Sequence, residues 1–398
     1  MSARGGRRPL MTQPAPLEGQ GATSRQNLLL FFVGVALLGM AGGMFETTFN
    51  NFIADTFHLT PDERGFLEFP RELPGFLTAV LAGALFFLPE TGIGAAAAAA
   101  VSVGMVGLAA WGSRWAPMLV FLTLWSAGAH LMMPVRSSLS MELASKGQKG
   151  RRLGQAQGAS IAASIAGCAV VWAATKALPG NYALIMILGA VPALVAALAF
   201  WRMKMPGARL KRAKFVWRRQ YWLYYVLAFL FGARKQIFIT FGPWVLVKVF
   251  NQQADVFAKL WMAAAVLGTV FQPALGRAID RFGERTVLVA DSMFILLICV
   301  GYGFADRMGH QGLALWTLYA CFVADQLLFG VNMARDTYLA KIALRHEDVR
   351  PSLSLGVTIN HAVSMTVPYF GGLLWVGYGH WAVFAAAAGV AAMMFVFS

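Results

Sequence analysis

Apolar residues run along this chain in stretches of about twenty, the length a helix needs to cross a bilayer core of about 30 Å. Twelve stretches can be marked: 28–53, 66–88, 93–112, 117–139, 154–176, 181–201, 220–247, 255–279, 287–304, 312–334, 353–376 and 379–397. The pattern predicts an all-α membrane protein of twelve transmembrane helices. The alanine run 95–100 reads as a surface for close helix packing. Residues 1–26, rich in Gly, Pro and Arg, read as a disordered tail. They do not resemble a signal peptide, because the apolar run that follows is far too long and lacks a small-residue cleavage site.

Composition agrees. Of 398 residues 58% are hydrophobic and only 13% charged, against about 25% charged in soluble domains. The net charge of +15 does not argue for nucleic acid, because the basic residues sit in short loops between apolar runs. Cys168, Cys299 and Cys321 all fall inside apolar spans, which leaves no disulfide framework and no CxxC site.

Alternate loops differ sharply in charge. One side collects 22 Lys and Arg, including Lys149, Arg151, Arg152, Arg277, Arg281, Arg285 and eight within 202–219. The other has five: Arg64, Arg114, Lys176, Lys248 and Arg307. By the positive-inside rule both termini are cytoplasmic. A bacterial inner membrane is the expected location.

The halves are related by a shift of 193 positions. It aligns Leu30, Val33, Leu37 and Gly39 with Leu223, Val226, Leu230 and Gly232. It also aligns Phe45, Thr47, Phe57, Asp62, Leu67, Gly75 and Gly83 with Phe238, Thr240, Phe250, Asp255, Leu260, Gly268 and Gly276. The expected domains are therefore a bundle over 27–201, a basic cytoplasmic linker over 202–219 and a second bundle over 220–398. Such a parallel duplication is a transporter architecture.

Between spans 8 and 9 the chain reads Gly276-Arg277-Ala278-Ile279-Asp280-Arg281-Phe282-Gly283-Glu284-Arg285. This G-x-x-x-D-R-x-G-x-R pattern resembles the signature loop of the major facilitator superfamily, and with the spans and the repeat the resemblance covers 28–397. It implies two six-helix bundles and transport by alternating access. It also implies that Gly276 permits close helix packing, that Asp280 engages a neighbouring helix end, and that Arg281, Gly283 and Arg285 belong to a gating network. The equivalent first-half loop departs from the pattern, with Phe87 where Asp280 stands in the second half. Span 5 lacks the Gly-Pro-rich antiporter motif, and Pro368-Tyr369-Phe370-Gly371-Gly372 in span 11 is the nearest equivalent.

Spans 3, 6 and 12 carry no charge in their cores, and span 9 has only Asp291 near its cytoplasmic end. These helices are expected on the lipid-facing outside, since intramembrane charge faces a wet interior or a partner. The candidate substrate and coupling residues are Glu46 and Asn50 in span 1, His130 in span 4 and Arg234 and Lys235 in span 7. Asp325 in span 10 and Asn360 and His361 in span 11 complete the set. Arg234 and Lys235 differ by about 100° around the helix, so they cannot point the same way. Arg234 is expected to anchor a substrate anion and Lys235 to pair with Asp325, the alternative being that both are locked in structural pairs. Glu46 is a candidate proton carrier or a fixed partner of Arg71. Glu68, Arg71 and Glu72 are expected as ion pairs near the outer surface, and Arg136 and Arg335 as interfacial anchors or inner-gate residues. His130 and His361 read as hydrogen-bonded interior groups, because no second His or Cys stands at metal-ligand spacing.

No Walker A loop and no hydrolase motif is present. The expectation is a non-enzymatic secondary transporter of a small anionic or zwitterionic solute, a symporter or antiporter coupled to protons. It is expected to be a monomer without cofactor or metal. Trp125, Phe238, Trp244 and Tyr319 leave amphipathic efflux open, and a non-transporting receptor is the alternative class.

Overall fold

The computed structural model describes residues 18–85, 88–145, 148–205 and 217–398, all in helices and connecting turns. Residues 1–17, Phe87 and linker residues 206–216 lie outside the described set. The first half comprises α1 (Glu18–Phe57), α2 (Pro61–Phe66), α3 (Glu68–Phe76), α4 (Thr78–Ala84), α5 (Glu90–Trp111), α6 (Trp115–Glu142), α7 (Lys149–Ala177) and α8 (Tyr182–Arg202). The second comprises α9 (Trp222–Lys248), α10 (Ala254–Phe304), α11 (Gln311–Leu328), α12 (Asn332–Ile342), α13 (His346–Tyr378) and α14 (His380–Phe397). Among the described residues, eight helical segments are long and apolar enough to cross a membrane. The first helix starts at Glu18, so residues 18–26 of the expected tail continue it.

The expected stretches map onto these helices with three differences, one being that span 10 is divided into α11 and α12 by a 3-10 turn at Phe329–Val331. Span 2 is α2, α3 and α4 in succession, and it starts at Pro61 instead of 66. Glu63 Oε2 accepts from the Thr60 amide at 3.0 Å and Pro61 occupies the first turn, so this is a built helix start. The interruptions follow from Pro70 and Pro74, which cannot donate to the preceding turn. Spans 8 and 9 appear as one run, α10, broken at Gly283, where φ is 82° and ψ 161°. Only glycine adopts that conformation readily, and the chain reverses there.

The repeat is visible in the packing. A Cβ on Gly39 would sit 2.3 Å from the Ser160 carbonyl oxygen of α7, and one on Gly232 would sit 3.1 Å from Asn360 of α13. In each half, aligned glycines thus let the first helix approach the fifth. Lipid offers no hydrophobic drive for such contacts, so small residues and dispersion supply it. The helices α5, α8 and α14 pack against helices of their own halves. On α8, Ile187, Leu188, Val191, Leu194, Val195 and Leu198 form an exposed apolar stripe, suited to lipid.

Where α8 ends and α9 begins defines a linker side. Contacts between the halves concentrate away from it: Asn51 Nδ2 donates to the Gln252 carbonyl at 2.8 Å and Lys176 pairs with Asp255 at 3.4 Å. Next to them α2 lies on α13, where a Cβ on Gly372 would fall 2.3 Å from Asp62 Cα.

Candidate functional site

Three polar constellations occupy the interior. The first is a seam between the halves, built on the broken span 2. Arg71 grips Glu46 with its Nη2 at 2.6 and 2.8 Å from the two carboxylate oxygens, while its Nη1 lies 3.4 Å from Glu68 Oε1. Arg64 donates to Glu68 at 2.6 Å and to Asn50 Oδ1 at 3.1 Å. From the second half, Gln236 Nε2 donates to Glu68 Oε2 at 2.7 Å. Deeper along α3, Glu72 Oε2 meets His361 Nδ1 at 2.7 Å. The His361 ring stands edge-on to His130 with centroids 5.0 Å apart. Ser126 fixes this end, because its hydroxyl donates to the Arg71 carbonyl and its own carbonyl lies 3.0 Å from His130 Nδ1.

Charge balances in this seam. Glu46, Glu68 and Glu72 face Arg64, Arg71 and Lys235, the last half-buried and acting electrostatically on Glu72. Buried ions persist only when paired, and stripping one partner costs about 3–5 kcal/mol. Glu46, half-buried, is paired with Arg71 in this conformation. The ion pair expected of Glu68 and Arg71 is present, and Glu72 pairs with His361, all within a buried seam between the halves.

The second constellation lies within the second half. Arg234 is fully buried, with Nη2 3.2 Å from Asp325 Oδ1 and 4.0 Å from Asp291 Oδ1. Phe231, Phe238 and Phe329 surround its guanidinium at 5.3 to 5.8 Å. This corrects the expected pairing: Asp325 holds Arg234, and it is Lys235 that turns to the seam. The 100° separation holds, and the two side chains serve different constellations. Asn360 lies against Gly232 and accepts from Ser364 at 3.4 Å.

The third is a cavity of about 170 Å³ in the first half, lined by Val35, Leu38, Gly39, Gly42, Val101, Trp125, Ala129, Met132, Met133, Arg136 and Ser160. Its floor is an α6 stripe, Trp125, Ala129, Met132, Met133 and Arg136, whose spacings of four, seven, eight and eleven fall on one helical face. Ser126 and His130 face the seam from the adjoining stripe. Arg136 is half-buried and has no hydrogen-bond or ion-pair partner among the described residues. The buried Trp125 indole nitrogen also lacks a hydrogen-bond partner, and its ring stacks on Phe45 at 3.5 Å. Val101 brings α5, expected wholly outside, to this wall.

A family model described as Major Facilitator Superfamily matches residues 31–348. The chain belongs to the major facilitator superfamily. It is thus an integral membrane protein of a family that transports rather than catalyses. Among solved structures, the nucleoside transporter NupG superposes with a TM-score of 0.73 at 13% identity, over 94% of this chain and 98% of its own. A D-xylose-proton symporter gives 0.68 at 15% identity, over 94% and 97%. A bacterial homolog of the human lysosomal transporter Spinster, inward-facing and occupied, gives 0.69 at 14% identity, over 93% and 95%. At these identities the likeness is one of fold. No curated protein matches the sequence.

In the superfamily loop, Gly283 makes the turn, while no neighbour lies within 4 Å of a Cβ on Gly276. Among the described residues nothing packs against Gly276 in this conformation. Asp280, Arg281 and Arg285 are exposed, with Arg281 over the Phe282 ring at 5.3 Å. The loop is tied down by a residue outside the quoted motif positions, as Glu284 pairs with Lys341 at 2.7 Å. The hydrogen bond from Lys341, aided by its charge, holds the Glu284 carboxyl below its ordinary value. A depressed carboxylate stabilises the fold above its unfolded pKa and loses that contribution as pH falls through the folded one. A spin label at Arg285 should therefore gain mobility as pH falls below about 4.5. In Lys341→Met the label should be mobile throughout; an unchanged spectrum in that variant would dismiss the tie.

Proposed function

We propose that this protein is a proton-coupled secondary transporter of a small amphipathic organic anion or zwitterion, working by alternating access, with its linker side in the cytoplasm of a bacterial inner membrane. Arg136 carries the reading. A guanidinium without a carboxylate partner, in a space of about 170 Å³ walled by Trp125 and methionines, suits an apolar body bearing one anionic group. The volume lies below the range of about 300–1,000 Å³ usual for drug-sized ligands. Arg234, by contrast, is fully buried and ion-paired with Asp325 and Asp291, which does not favour a substrate role. Glu46, Asn50 and Asn360 border the path, and Lys235 supplies a second cation beside it.

Several observations support an inward-open state. Polar contacts between the halves gather away from the linker side, the Arg136 cavity lies toward it, and a likeness exists to an inward-facing solved structure. Asp280, Arg281, Gly283 and Arg285 then latch the cytoplasmic side in the opposite state, which accounts for their exposure here. Proton coupling is supported by Glu72 and His361, a carboxylate–imidazole pair whose 2.7 Å hydrogen bond joins the two halves. The symporter among the fold neighbours agrees with this.

The test is uptake into proteoliposomes with and without a pH gradient, across matched anionic, neutral and cationic amphiphiles. Gradient-dependent uptake confined to anions or zwitterions is expected. Preference for cations would overturn the substrate class and favour amphipathic drug efflux. Gating has a separate check. A Cβ at Gly372 collides with Asp62 Cα at 2.3 Å and the Pro61 carbonyl at 2.4 Å, so Gly372→Val should part α2 from α13. Labelling of a cysteine introduced beside Pro61 from the external side should rise several-fold.

A further inference from the structure

Glu72 of α3, His130 of α6 and His361 of α13 each offer a ligating atom, and all three atoms lie within 4.8 Å of one another. All three side chains are buried. They are distant in sequence, so ligand spacing along the chain gives no sign of them. Two features mark the group as more than a polar cluster. His130 Nδ1 lies 3.0 Å from the Ser126 carbonyl, the arrangement in which a ligating imidazole gives one ring N–H to a backbone oxygen and presents the other nitrogen. The space between the rings is kept by Gly75, where a Cβ would fall 2.6 Å from His361 Cε1 and 2.7 Å from His130 Cδ2.

We propose that Glu72, His130 and His361 bind one divalent first-row transition-metal ion of the zinc class. Two imidazole nitrogens and a carboxylate oxygen form a borderline donor set, which selects such ions over magnesium or calcium, whose sites are built from oxygen. Metal–ligand distances are about 2.0–2.2 Å, so the ion would replace the Glu72–His361 hydrogen bond and draw His130 inward by side-chain motion. A fourth position stays open. Lys235 of α9 and Arg71 of α3 are the cations that face Glu72. The Lys235 ammonium is a competitor for the carboxylate, which keeps affinity modest. Because α3 and α6 belong to one half and α13 to the other, a bound ion ties the halves together and slows alternation. That consequence rests on the transport reading; the site itself does not.

The experiment is a Co²⁺ titration of tag-free, chelator-stripped full-length protein in nanodiscs, followed by visible ligand-field absorption. One Co²⁺ per chain, displaced by Zn²⁺, is expected. His130→Ala and His361→Ala should each weaken binding by at least about tenfold, as losses around metal sites do. Lys235→Met should tighten it by about tenfold, since a competing charge is removed. A gain of affinity cannot come from misfolding, so this variant decides the matter if the histidine variants fail to fold. Absence of Co²⁺ binding, binding unaltered in folded histidine variants, or affinity unimproved in Lys235→Met would overturn the proposal. Failure of the uptake assay would leave this titration unaffected.

Discussion

Arg136→Gln should reduce anion uptake by at least tenfold while leaving the protein folded and able to exchange conformations. Among the described residues the guanidinium has no partner to strand, so its removal orphans no buried charge there. A hydrogen bond to a charged group contributes about 1.5–3 kcal/mol, which converts to roughly 10- to 100-fold in affinity. The loss should appear mainly as a raised KM, because Arg136 binds the solute without entering a chemical step. Arg136→Lys keeps the charge but loses the planar fork, and should recover part of the affinity. Trp125→Phe, which removes the unpartnered indole N–H but keeps an aromatic ring, should cost less than Arg136→Gln. If Arg136→Gln transports normally, the arginine is an interfacial anchor and the substrate anion is held elsewhere.

The fold was legible because a bilayer leaves few alternatives: apolar runs near twenty residues must be helices, and the 193-residue shift tied those helices into two halves. What escaped was local. Arg64 counts with a loop in the sequence, whereas Thr60-Pro61-Asp62-Glu63 is a helix start that places it in α2. The α6 stripe ending in Arg136 follows from residue spacing, but which stripe of α6 meets a cavity depends on how the helices pack. The meeting of His130 with His361 follows from packing α3 and α6 against α13, which no local spacing encodes. The opposed directions of Arg234 and Lys235 were derivable from helix geometry; which one meets Asp325 depends on where α11 lies.

That exchange of partners has a sharp energetic consequence. Asp325→Asn removes one of the two carboxylates facing Arg234, and Asp291 at 4.0 Å can take up part of the role. Its cost should therefore fall toward the lower end of the about 3–5 kcal/mol expected for breaking a buried pair. Arg234→Met strands both carboxylates among Phe231, Phe238 and Phe329 and should be the more damaging change. Combining Arg234→Met with Asp325→Asn relieves one stranded charge, so the double variant should be more stable than Arg234→Met alone. Lys235→Met added to Asp325→Asn should give no such relief, because Lys235 faces Glu72 in the seam. Unfolding in mixed detergent, followed for the four variants on one background, measures the coupling as a departure from additivity. Additive costs for Arg234 and Asp325, or relief from the Lys235 change, would show that the lysine, not the arginine, holds the carboxylate of α11.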